Sequence, residues 1–595
     1  MLSVMTYLPL IGAVLILLVP KNNDLIRWIA LLTTFANFVL SLVTIFTFNQ
    51  TVTGYQFEEK ADWIPAIGAK YHMGVDGVSV LMLLLDGILF FLAIIASWKA
   101  IQSRVREYYF SILLLNVGCV GVFLALDFFL FYIFWELVLI PMAVLIGVWG
   151  GSNRRIYASV KFFLYTLVGS LLMLVAIIAL YFQYTDVTKN PSTLDIPTIT
   201  NELAKAGGLS TTFQYWAFAA FALAFCIKVP LWPLHTWLPD AHTEAPTAGS
   251  VILAGVMLKM GAYGLIRFNL PLFPVASHDF APFMIILSLI AIIYGAAVAL
   301  VQPDMKRLVA YSSVSHMGFV VLGLFSFASG LTLQKGGNEV NILLNNRQAF
   351  DGAVFTMFSH GLLTGGLFLC VGVIYERLHT RDIKTIQNTL RIANRMPAYA
   401  SIMMLYTMGS LGLPMISGFV GEFLVMQGSF RVNGWYSFVA SFVIILSALY
   451  MLWVYQRVFF GKAEDYDLAF VDARIKEAEA ISNAHGGHGA ESHSEHGHEE
   501  HGHDEHGHKE YGHGHGHADK DMLRNGAKLP DLNLGEWLAL YPMAAAAIVV
   551  GVFPSLVLDF LGKPAEQIAA AMTGGAQHVA IINVDLVALV QHLIK

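Results

Sequence analysis

Runs of apolar residues, each about 20 residues long and separated by shorter polar connections, fill most of this 595-residue chain. A helix needs about 20 apolar residues to cross a hydrocarbon core of about 30 Å, so each run predicts one membrane span. The first run has no basic segment before it and no A-x-A motif after it, which favours a span over a cleaved signal peptide. The predicted 14 spans lie at about 3–20, 26–48, 75–98, 107–126, 128–149, 157–184, 213–240, 247–270, 278–302, 305–331, 350–376, 397–428, 434–460 and 532–561.

The connections between these helices differ in positive charge. Up to the thirteenth helix, the odd-numbered connections carry fifteen Lys and Arg residues and the even-numbered connections carry eight. Cytoplasmic loops of membrane proteins are enriched in Lys and Arg, so the odd connections are predicted to lie in the cytoplasm. With an even number of helices, both termini then lie on the opposite side of the membrane.

One polar segment, 463–530, interrupts the pattern between helices 13 and 14. Twelve of the 21 histidines lie between His485 and His517, where they alternate with Gly, Glu and Asp. Such a composition cannot bury a core, so we expect a cytoplasmic, low-complexity insert. Two interpretations stay open: a flexible linker, or a segment that buffers metal ions or senses pH. No spacing in it resembles a fixed four-ligand metal site.

Composition narrows the possible chemistry. The chain is 56% hydrophobic and 13% charged, and its net charge of -6 argues against a nucleic-acid partner, which requires a basic surface. Cys119, Cys226 and Cys370 are isolated in apolar runs, without the CxxC spacing of an iron–sulfur site. No GxGxxG or Walker motif is present. We therefore expect no cofactor and no redox site in this chain.

Six ionisable residues lie in the middle of predicted helices. Insertion scales assign about 2.5–3.5 kcal/mol to a charged residue at a helix centre, so these groups must face one another, water or a bundle interior. Burial disfavours the charged form of an acid or an amine and pairing favours it, so a Glu–Lys pair that forms and breaks is a proton switch. The six residues are Glu136, Lys228, Lys259, His316, His360 and Glu422.

Structural interpretations of the same residues also stay open. His316 and His360 can be packing histidines, and Lys228 and Lys259 can form structural ion pairs. Lys161, near the start of helix 6, is expected to extend its ammonium group to the membrane surface. Asp86 is a further acid in the middle of a helix, and its role is not assigned by the sequence.

Proline residues interrupt two of the predicted helices. Helix 7 contains Pro230 and Pro233 just after Lys228, and helix 12 contains Pro414 before Glu422. Proline frees backbone carbonyls, which a membrane protein tolerates only where protein or water satisfies them. Broken helices five positions apart, each with a buried charge, predict two inverted repeats of five helices, as in many secondary transporters.

The predicted fold is an all-α membrane protein of 14 transmembrane helices, with helices 7 and 12 broken. Its predicted parts are helices 1–3 (1–106), the first repeat of helices 4–8 (107–270), the second repeat of helices 9–13 (278–460), the His-rich insert (463–530), and helix 14 with the tail (531–595).

Several motifs resemble one known family. The segment PLHTWLPDAHTEAPTAGSVILAGVMLKMGAYGLIRF, which begins at Pro233, looks like the signature of the antiporter-type, proton-translocating subunits of complex I, the respiratory NADH:quinone oxidoreductase. DMKRLVAYSSVSHMGFV and LSALYMLWVYQRVFFG resemble the same family, and FWELVLIPM resembles its subunit M, the mitochondrial subunit 4 type. Subunit L of the same complex would add a long lateral helix, and subunit N usually lacks a glutamate at the exit position, so the resemblance favours subunit M.

The resemblance implies a proton-translocating subunit in a bacterial plasma membrane, with periplasmic termini, surrounded by lipids and by neighbouring antiporter-like subunits. Redox chemistry in other subunits would drive it. The implied roles are a paired switch for Glu136 and Lys228, a central relay for Lys259, a second relay for His316 and His360, and the exit for Glu422.

Two other functions fit the same sequence less well. A cation/proton antiporter subunit of the Mrp type shares the fold and the signature. A purely structural membrane scaffold is disfavoured by the insertion cost of six buried ionisable groups. The sequence does not determine whether protons or sodium ions are transported, or how many per turnover.

Overall fold

A computed structural model describes residues 1–20, 22–151, 154–330, 346–389, 391–461 and 529–573. The predicted His-rich insert, apart from its last two residues, and the tail from 574 onward lie outside the described residues. The architecture below therefore concerns the described ranges.

Helices dominate the described chain. From the N-terminus to the middle they are α1 (Leu2–Leu18), α2 (Asn23–Thr47), α3 (Gly77–Ala100), α4 (Val105–Leu124), α5 (Phe128–Leu137), α6 (Leu139–Trp149), α7 (Arg155–Thr188), α8 (Ile196–Lys205), α9 (Thr211–Lys228), α10 (Trp237–Glu244), α11 (Thr247–Ile252), α12 (Leu258–Gly264) and α13 (Leu270–Leu272). They continue as α14 (Pro274–Asp279), α15 (Ala281–Leu300), α16 (Met305–Ser329), α17 (Arg347–Leu378), α18 (Ile383–Thr389), α19 (Ile392–Arg395), α20 (Pro397–Ser410), α21 (Ser417–Val432), α22 (Gly434–Phe459), α23 (Leu534–Val552), α24 (Ser555–Leu558) and α25 (Gly562–Met572).

Eleven helices in the described ranges are long and apolar enough to span a membrane, with α5–α6 and α11–α13 each counted as one. The other three predicted spans are α1, with 17 residues, and the two proline-broken helices. Both breaks are confirmed: α9 ends at Lys228 before α10 begins at Trp237, and α20 ends at Ser410 before α21 begins at Ser417. The total of 14 spans stays a prediction.

Three local features differ from the expected pattern. The predicted helix 8 contains two π-helical segments, Leu253–Met257 and Leu265–Asn269, on either side of α12. The predicted helix 14 does not continue to 561, because α23 ends at Val552 and Pro554 follows. An amphipathic helix, α8, lies in the sixth connection, where the sequence predicts no membrane span.

A β-hairpin in the second connection corrects the all-α expectation. Its strands β1 (Gln56–Ile64) and β2 (Ala69–Val75) are antiparallel and joined through a short 3₁₀ turn. The edge of β2 hydrogen-bonds to the connection between α4 and α5, where the Leu126 amide donates to the His72 carbonyl at 2.9 Å. The hairpin therefore covers the end of α4 and the start of α5, on the side of the even-numbered connections.

Charged side chains, of which His72 and Asp195 are buried and Glu58 and Lys60 exposed, tie this hairpin to the start of α8. His72 Nδ1 lies 2.5 Å from Asp195 Oδ1, and His72 Nε2 lies 2.8 Å from Glu58 Oε2. Lys60 Nζ approaches Asp195 Oδ2 at 3.2 Å, and the Thr198 hydroxyl also donates to that oxygen. A neutral imidazole has only one N–H, so two carboxylate acceptors are both satisfied only by the cationic ring. We call His72, Asp195, Glu58 and Lys60 the outer clamp.

The most deeply buried helices are those that carry ionisable residues. The span from Thr247 to Leu272 and the span α17 are buried along their apolar windows, and α16 is almost so. In contrast, α2, α22 and α23 expose most of their apolar windows. Lys259, His316 and His360 therefore sit inside the bundle and away from its apolar rim.

Candidate functional site

Lys259 lies at the centre of the bundle, on α12 between the two π-helical segments. Its side chain is fully buried, and Nζ donates to the Ala254 carbonyl at 2.5 Å. Nζ also lies 2.6 Å from His360 Nδ1 on α17. A π-helical segment changes the hydrogen-bonding register of the helix, and here the Ala254 carbonyl belongs to that segment. Local helix geometry thus aims Lys259 at His360.

His316 and Glu422 form the next contact. The His316 Nδ1 atom, on α16, lies 2.7 Å from Glu422 Oε1 on α21. On the other side of the ring, Nε2 lies 3.3 Å from the Ser410 hydroxyl at the end of α20. The rings of His316 and His360 are 5.8 Å apart between centroids. We call Lys259, His360, His316 and Glu422 the relay line.

A small cavity joins the two halves of the relay line. Its volume is about 20 Å³, and roughly 10–15 Å³ is enough for one water molecule. Hydroxyl groups and glycines line it together with both histidines and Glu422; the others include Thr356, Ser359, Ser410 and Gly418. One polar molecule in this cavity can bridge the two rings, which no hydrogen bond joins directly among the described residues.

The break in the predicted helix 12 shapes this cavity. Gly412 has a positive φ of 83°, a left-handed conformation that glycine adopts without strain. A side chain there would also meet Glu422 Oε2 at 3.6 Å. The hydroxyls of Ser359 and Ser417 hydrogen-bond at 2.8 Å across the same region and hold α17 against α21.

Glu136 and Lys228, the Glu–Lys pair of the sequence analysis, are arranged differently. In the described structure no ion pair joins them, and Glu136 Oε1 and Lys228 Nζ have no hydrogen-bond partner among the described residues. Lys228 Nζ instead lies 5.1 Å from the centroid of the Trp135 ring, within the range of a cation–π interaction. Their role as a switch stays a prediction.

The helix break holds Lys228 in place. Lys228 is the last residue of α9, where the helix dipole favours a positive charge. The freed carbonyls beside it are satisfied: Cys226 O accepts from the Leu231 amide, and Ile227 O accepts from Trp237 Nε1, both at 2.8 Å. The proline break therefore leaves few unpaired backbone groups.

Lys161 has two partners on the broken helix 7. Its Nζ donates to the Thr236 carbonyl at 2.8 Å and pairs with Asp240 at 2.7 Å, and its extension to the membrane surface stays a prediction. Both partners belong to the second half of the broken helix 7, so Lys161 anchors that half against α7. This pairing could not be predicted from the sequence, because the partners lie more than 70 residues apart along the chain.

His242 is a buried residue that the sequence analysis did not select. Its ring stacks on Phe368 at 4.6 Å between centroids, and both ring nitrogens lack a hydrogen-bond partner among the described residues. It interacts electrostatically with Lys259 and Lys306. Its place in the motif PDAHTEAPT could have identified His242 from the sequence. It was not selected because α10 is too short to be recognised as an apolar run.

Known proteins resemble this chain in sequence over most of its length. A family model described as NADH:quinone oxidoreductase/Mrp antiporter, TM, matches residues 125–335 and 337–447. NADH-quinone oxidoreductase subunit M of Rhodobacter capsulatus is 45% identical over 488 residues, which cover 81% of this chain and 90% of that protein. NADH-ubiquinone oxidoreductase chain 4 of Chondrus crispus is 41% identical over 471 residues, 79% of this chain and 89% of that protein.

Two solved structures have a similar fold. A chain of respiratory complex I from Thermus thermophilus with bound NADH is 27% identical with a TM-score of 0.74, over 96% of this chain and 100% of that one. A chain of the Mrp complex from Dietzia sp. DQ12-45-1b is 19% identical with a TM-score of 0.72, over 97% and 99%, and shows a shared fold alone. Because the family model covers more than half of the chain and close relatives align over about four fifths of it, the chain belongs to the NADH:quinone oxidoreductase/Mrp antiporter family of membrane proteins, on its subunit M or chain 4 branch.

Proposed function

We propose that this chain is a proton-translocating membrane subunit of a respiratory NADH:quinone oxidoreductase. The observation that carries the proposal is the relay line: four ionisable groups from four helices, three of them buried and Glu422 partly buried, in contact or separated by one small polar cavity. Moving one charge against the membrane costs about 2.3 kcal/mol per 100 mV. With no motif for a redox cofactor in the sequence, that energy comes from other subunits.

The two histidines have the tautomeric freedom that a relay needs. Lys259 gives a proton to His360 Nδ1, and His360 then releases a different proton from Nε2 toward the cavity. His316 takes up a proton on Nε2, beside the Ser410 hydroxyl, and gives its Nδ1 proton to Glu422. Each ring gains one N–H bond and loses another, so a proton advances while both rings return to neutrality.

The remaining parts of the proposal concern the whole molecule. Glu136 and Lys228 act as the switch that controls the charge on Lys259. The membrane part consists of 14 spans with inverted repeats of helices 4–8 and 9–13. The chain lies in a bacterial plasma membrane with periplasmic termini and cytoplasmic odd connections, and it contacts lipids and neighbouring antiporter-like subunits.

Replacing Lys259 tests the proposal directly. In the assembled complex, Lys259→Ala removes the group that feeds His360, so we expect fewer protons pumped per NADH oxidised. The measurement is NADH-driven proton uptake by inside-out membrane vesicles beside the NADH oxidation rate. Lys205→Ala is the matched control, because Lys205 is an exposed lysine of α8 that pairs only with Glu202 among the described residues. An unchanged ratio in Lys259→Ala would contradict the proposal.

A cation/proton antiporter subunit of the Mrp type is the second candidate. It is favoured by the fold shared with the Mrp complex chain and by the family description, which names both classes. Purification of the native complex, with its subunits identified by mass, separates the two. Sodium-dependent exchange in a complex without quinone reductase subunits selects the Mrp class.

A further inference from the structure

Arg267 is a buried arginine of the predicted helix 8 that the relay line does not use. Its Nε and Nη2 atoms donate to Tyr263 Oη at 3.1 and 3.0 Å. Nη1 donates to Tyr55 Oη and pairs with Asp76 Oδ2, both at 3.0 Å, and Nη2 also donates to Ser79 Oγ at 3.2 Å. Every N–H group of the guanidinium therefore has an acceptor. We call Arg267, Tyr263, Tyr55, Asp76 and Ser79 the arginine cluster.

The arginine cluster lies between Lys259 and the side of the even-numbered connections, which we call the even side. Arg267 follows Lys259 by eight residues along the span, or about 12 Å at about 1.5 Å per residue. Helix α3 runs alongside in the opposite direction: its Ser79 contacts Arg267, whereas a Cβ atom on Gly255 would meet a Leu89 methyl. Lys259 lies between these two contacts, so the arginine cluster is packed over it.

Aromatic rings pack against another face of the same span. A Cβ atom on Gly264 would meet the Phe225 ring at 2.3 Å, and Phe225 stacks on Phe268 with 5.9 Å between centroids. Phe268 also contacts Phe131 and Phe128, at 4.6 and 5.2 Å between centroids. These rings offer no site for a proton, whereas the arginine cluster, on the α3 face, is a line of polar groups.

The hydroxyls of this line extend from the even side toward Lys259. Tyr55 is partly exposed and Tyr263 is fully buried. A proton moves along a line of hydrogen bonds only if each group can both accept and donate one. The hydroxyls of Tyr55, Tyr263 and Ser79 all accept from Arg267, which has no acceptor and stays protonated. The guanidinium therefore interrupts a line that hydroxyls alone could conduct along.

The other proton positions of the arginine cluster are also occupied. Tyr263 Oη donates its hydrogen to the Phe123 carbonyl at 3.2 Å, and a backbone carbonyl has no proton to pass on. Asp76 Oδ1 accepts from the Ser79 amide at 2.9 Å while Oδ2 pairs with Arg267. Both carboxyl oxygens of Asp76 thus have a donor that holds them in place.

We propose that Arg267 determines the direction of transfer: it blocks proton passage between Lys259 and the even side, so that the proton on Lys259 leaves only toward His360. The proposal rests on the proposed function. The block needs no movement, because a donor-only group ends any line of hydroxyls that it saturates. Arginine is used in the same way in pores that exclude protons. Asp76 is a positioning residue that holds the guanidinium in this orientation.

Neutralising Arg267 and Asp76 together tests the block without leaving a buried charge unpaired. The assembled complex that carries Arg267→Met with Asp76→Asn is placed in liposomes without NADH, a potassium gradient with valinomycin drives proton entry, and an enclosed pH dye reports it. In the wild type, a proton that passes must break a hydrogen bond to a charged group, which corresponds to about tenfold or more in rate. We therefore expect the leak to rise by about tenfold or more.

Arg27→Met with Asp24→Asn is the matched control, because these residues of α2 form an Arg–Asp pair at the same 3.0 Å distance, away from Lys259. Lys259→Ala added to the neutralised arginine cluster should return the leak to the wild-type rate, since the entering proton must pass Lys259. An unchanged leak, an equal leak in the control, or a leak that persists with Lys259→Ala overturns the inference.

Arg267→Lys decides the matter if the doubly neutralised complex does not assemble. It keeps a cation beside Asp76, but an ammonium group has fewer donors and can release and regain a proton, so we expect a leak above the wild-type rate. A leak at the wild-type rate overturns the inference. NADH-driven pumping in Lys259→Ala distinguishes the two levels: a pumping defect there with tight Arg267 variants removes this inference alone, whereas normal pumping removes the proposed function itself.

Discussion

The Glu–Lys pair and the relay line use the same types of side chain but lie in different surroundings. Around the relay line, serine and threonine hydroxyls and glycines leave a small polar cavity between the charged helices. Around Lys228, aromatic rings pack closely: Trp135 contacts both Phe131 and Phe225. Hydroxyls can pass on a hydrogen bond, whereas a ring face only stabilises a charge. The relay line and the Glu–Lys pair therefore differ more in the small residues around them than in their acids and bases. The small polar residues connect the groups of the relay line.

The outer clamp gives the largest expected effect. It lies at the start of α5, the helix whose other end carries Glu136 of the Glu–Lys pair. Removing one partner of a buried ion pair costs about 3–5 kcal/mol, since the other charge is left unpaired. We expect Asp195→Asn to lower the local stability of the hairpin by that amount. Hydrogen exchange of the β2 amides measures it, with Glu202→Gln, at a partly exposed position of α8 outside the clamp, as the control. Unchanged protection would show that the clamp does not hold this end closed.

The pH dependence of the clamp follows from Asp195. Burial alone raises the pKa of this carboxyl, but hydrogen bonds from His72 and Thr198 and the charges of His72 and Lys60 outweigh it and hold the pKa below its usual range. A lowered folded pKa means stability that is fully present above the unfolded value and lost as pH falls through the folded one. The clamp therefore persists on acidification past the ordinary Asp value of about 3.9. Loss of β2 protection above that value would contradict this.

The sequence could predict much of the helical frame. Apolar runs located the spans, and Pro230, Pro233 and Pro414 located both breaks, because length and proline act locally. The hairpin was missed because β1, QFEEKADWI, is a polar, half-exposed strand without an apolar run. The π-helical segments around α12 were missed because their register depends on packing against α3 and α17, which no local pattern reports.

The sequence could select candidate residues for the site but not the contacts between them. Depth in an apolar helix singled out all six ionisable residues, since burial cost is a local property. Which groups touch depends on rotation and tilt of distant helices, so the Lys259–His360 contact and the absence of a Glu136–Lys228 ion pair could not be predicted. The same reason hid the Asn116 partner of Asp86 and the Asp240 partner of Lys161.

Glu422 provides the next largest effect. Gln at this position can still accept a hydrogen bond from His316 but cannot take up the proton. General acid–base groups contribute on the order of 100-fold to a rate, about 2.7 kcal/mol, so we expect a loss of coupled proton pumping of that size from Glu422→Gln. Glu566→Gln in α25, outside the relay line, is a matched surface control. Pumping at more than half the normal ratio would mean that protons leave by another route.

The smallest effect concerns the hydroxyls that connect the relay line. Ser410→Ala removes the group 3.3 Å from His316 Nε2, and a neutral hydrogen bond contributes about 0.5–1.5 kcal/mol. We therefore expect coupled pumping to fall by about 2- to 13-fold, and Ser410→Thr, which keeps a hydroxyl, to restore most of it. Ser447→Ala, in α22, is the control, because that hydroxyl bonds only to the Ile444 carbonyl of its own helix among the described contacts. If Ser410→Ala pumps normally, the polar lining is dispensable, and the contrast between the two halves must come from the pairing of their charged groups alone.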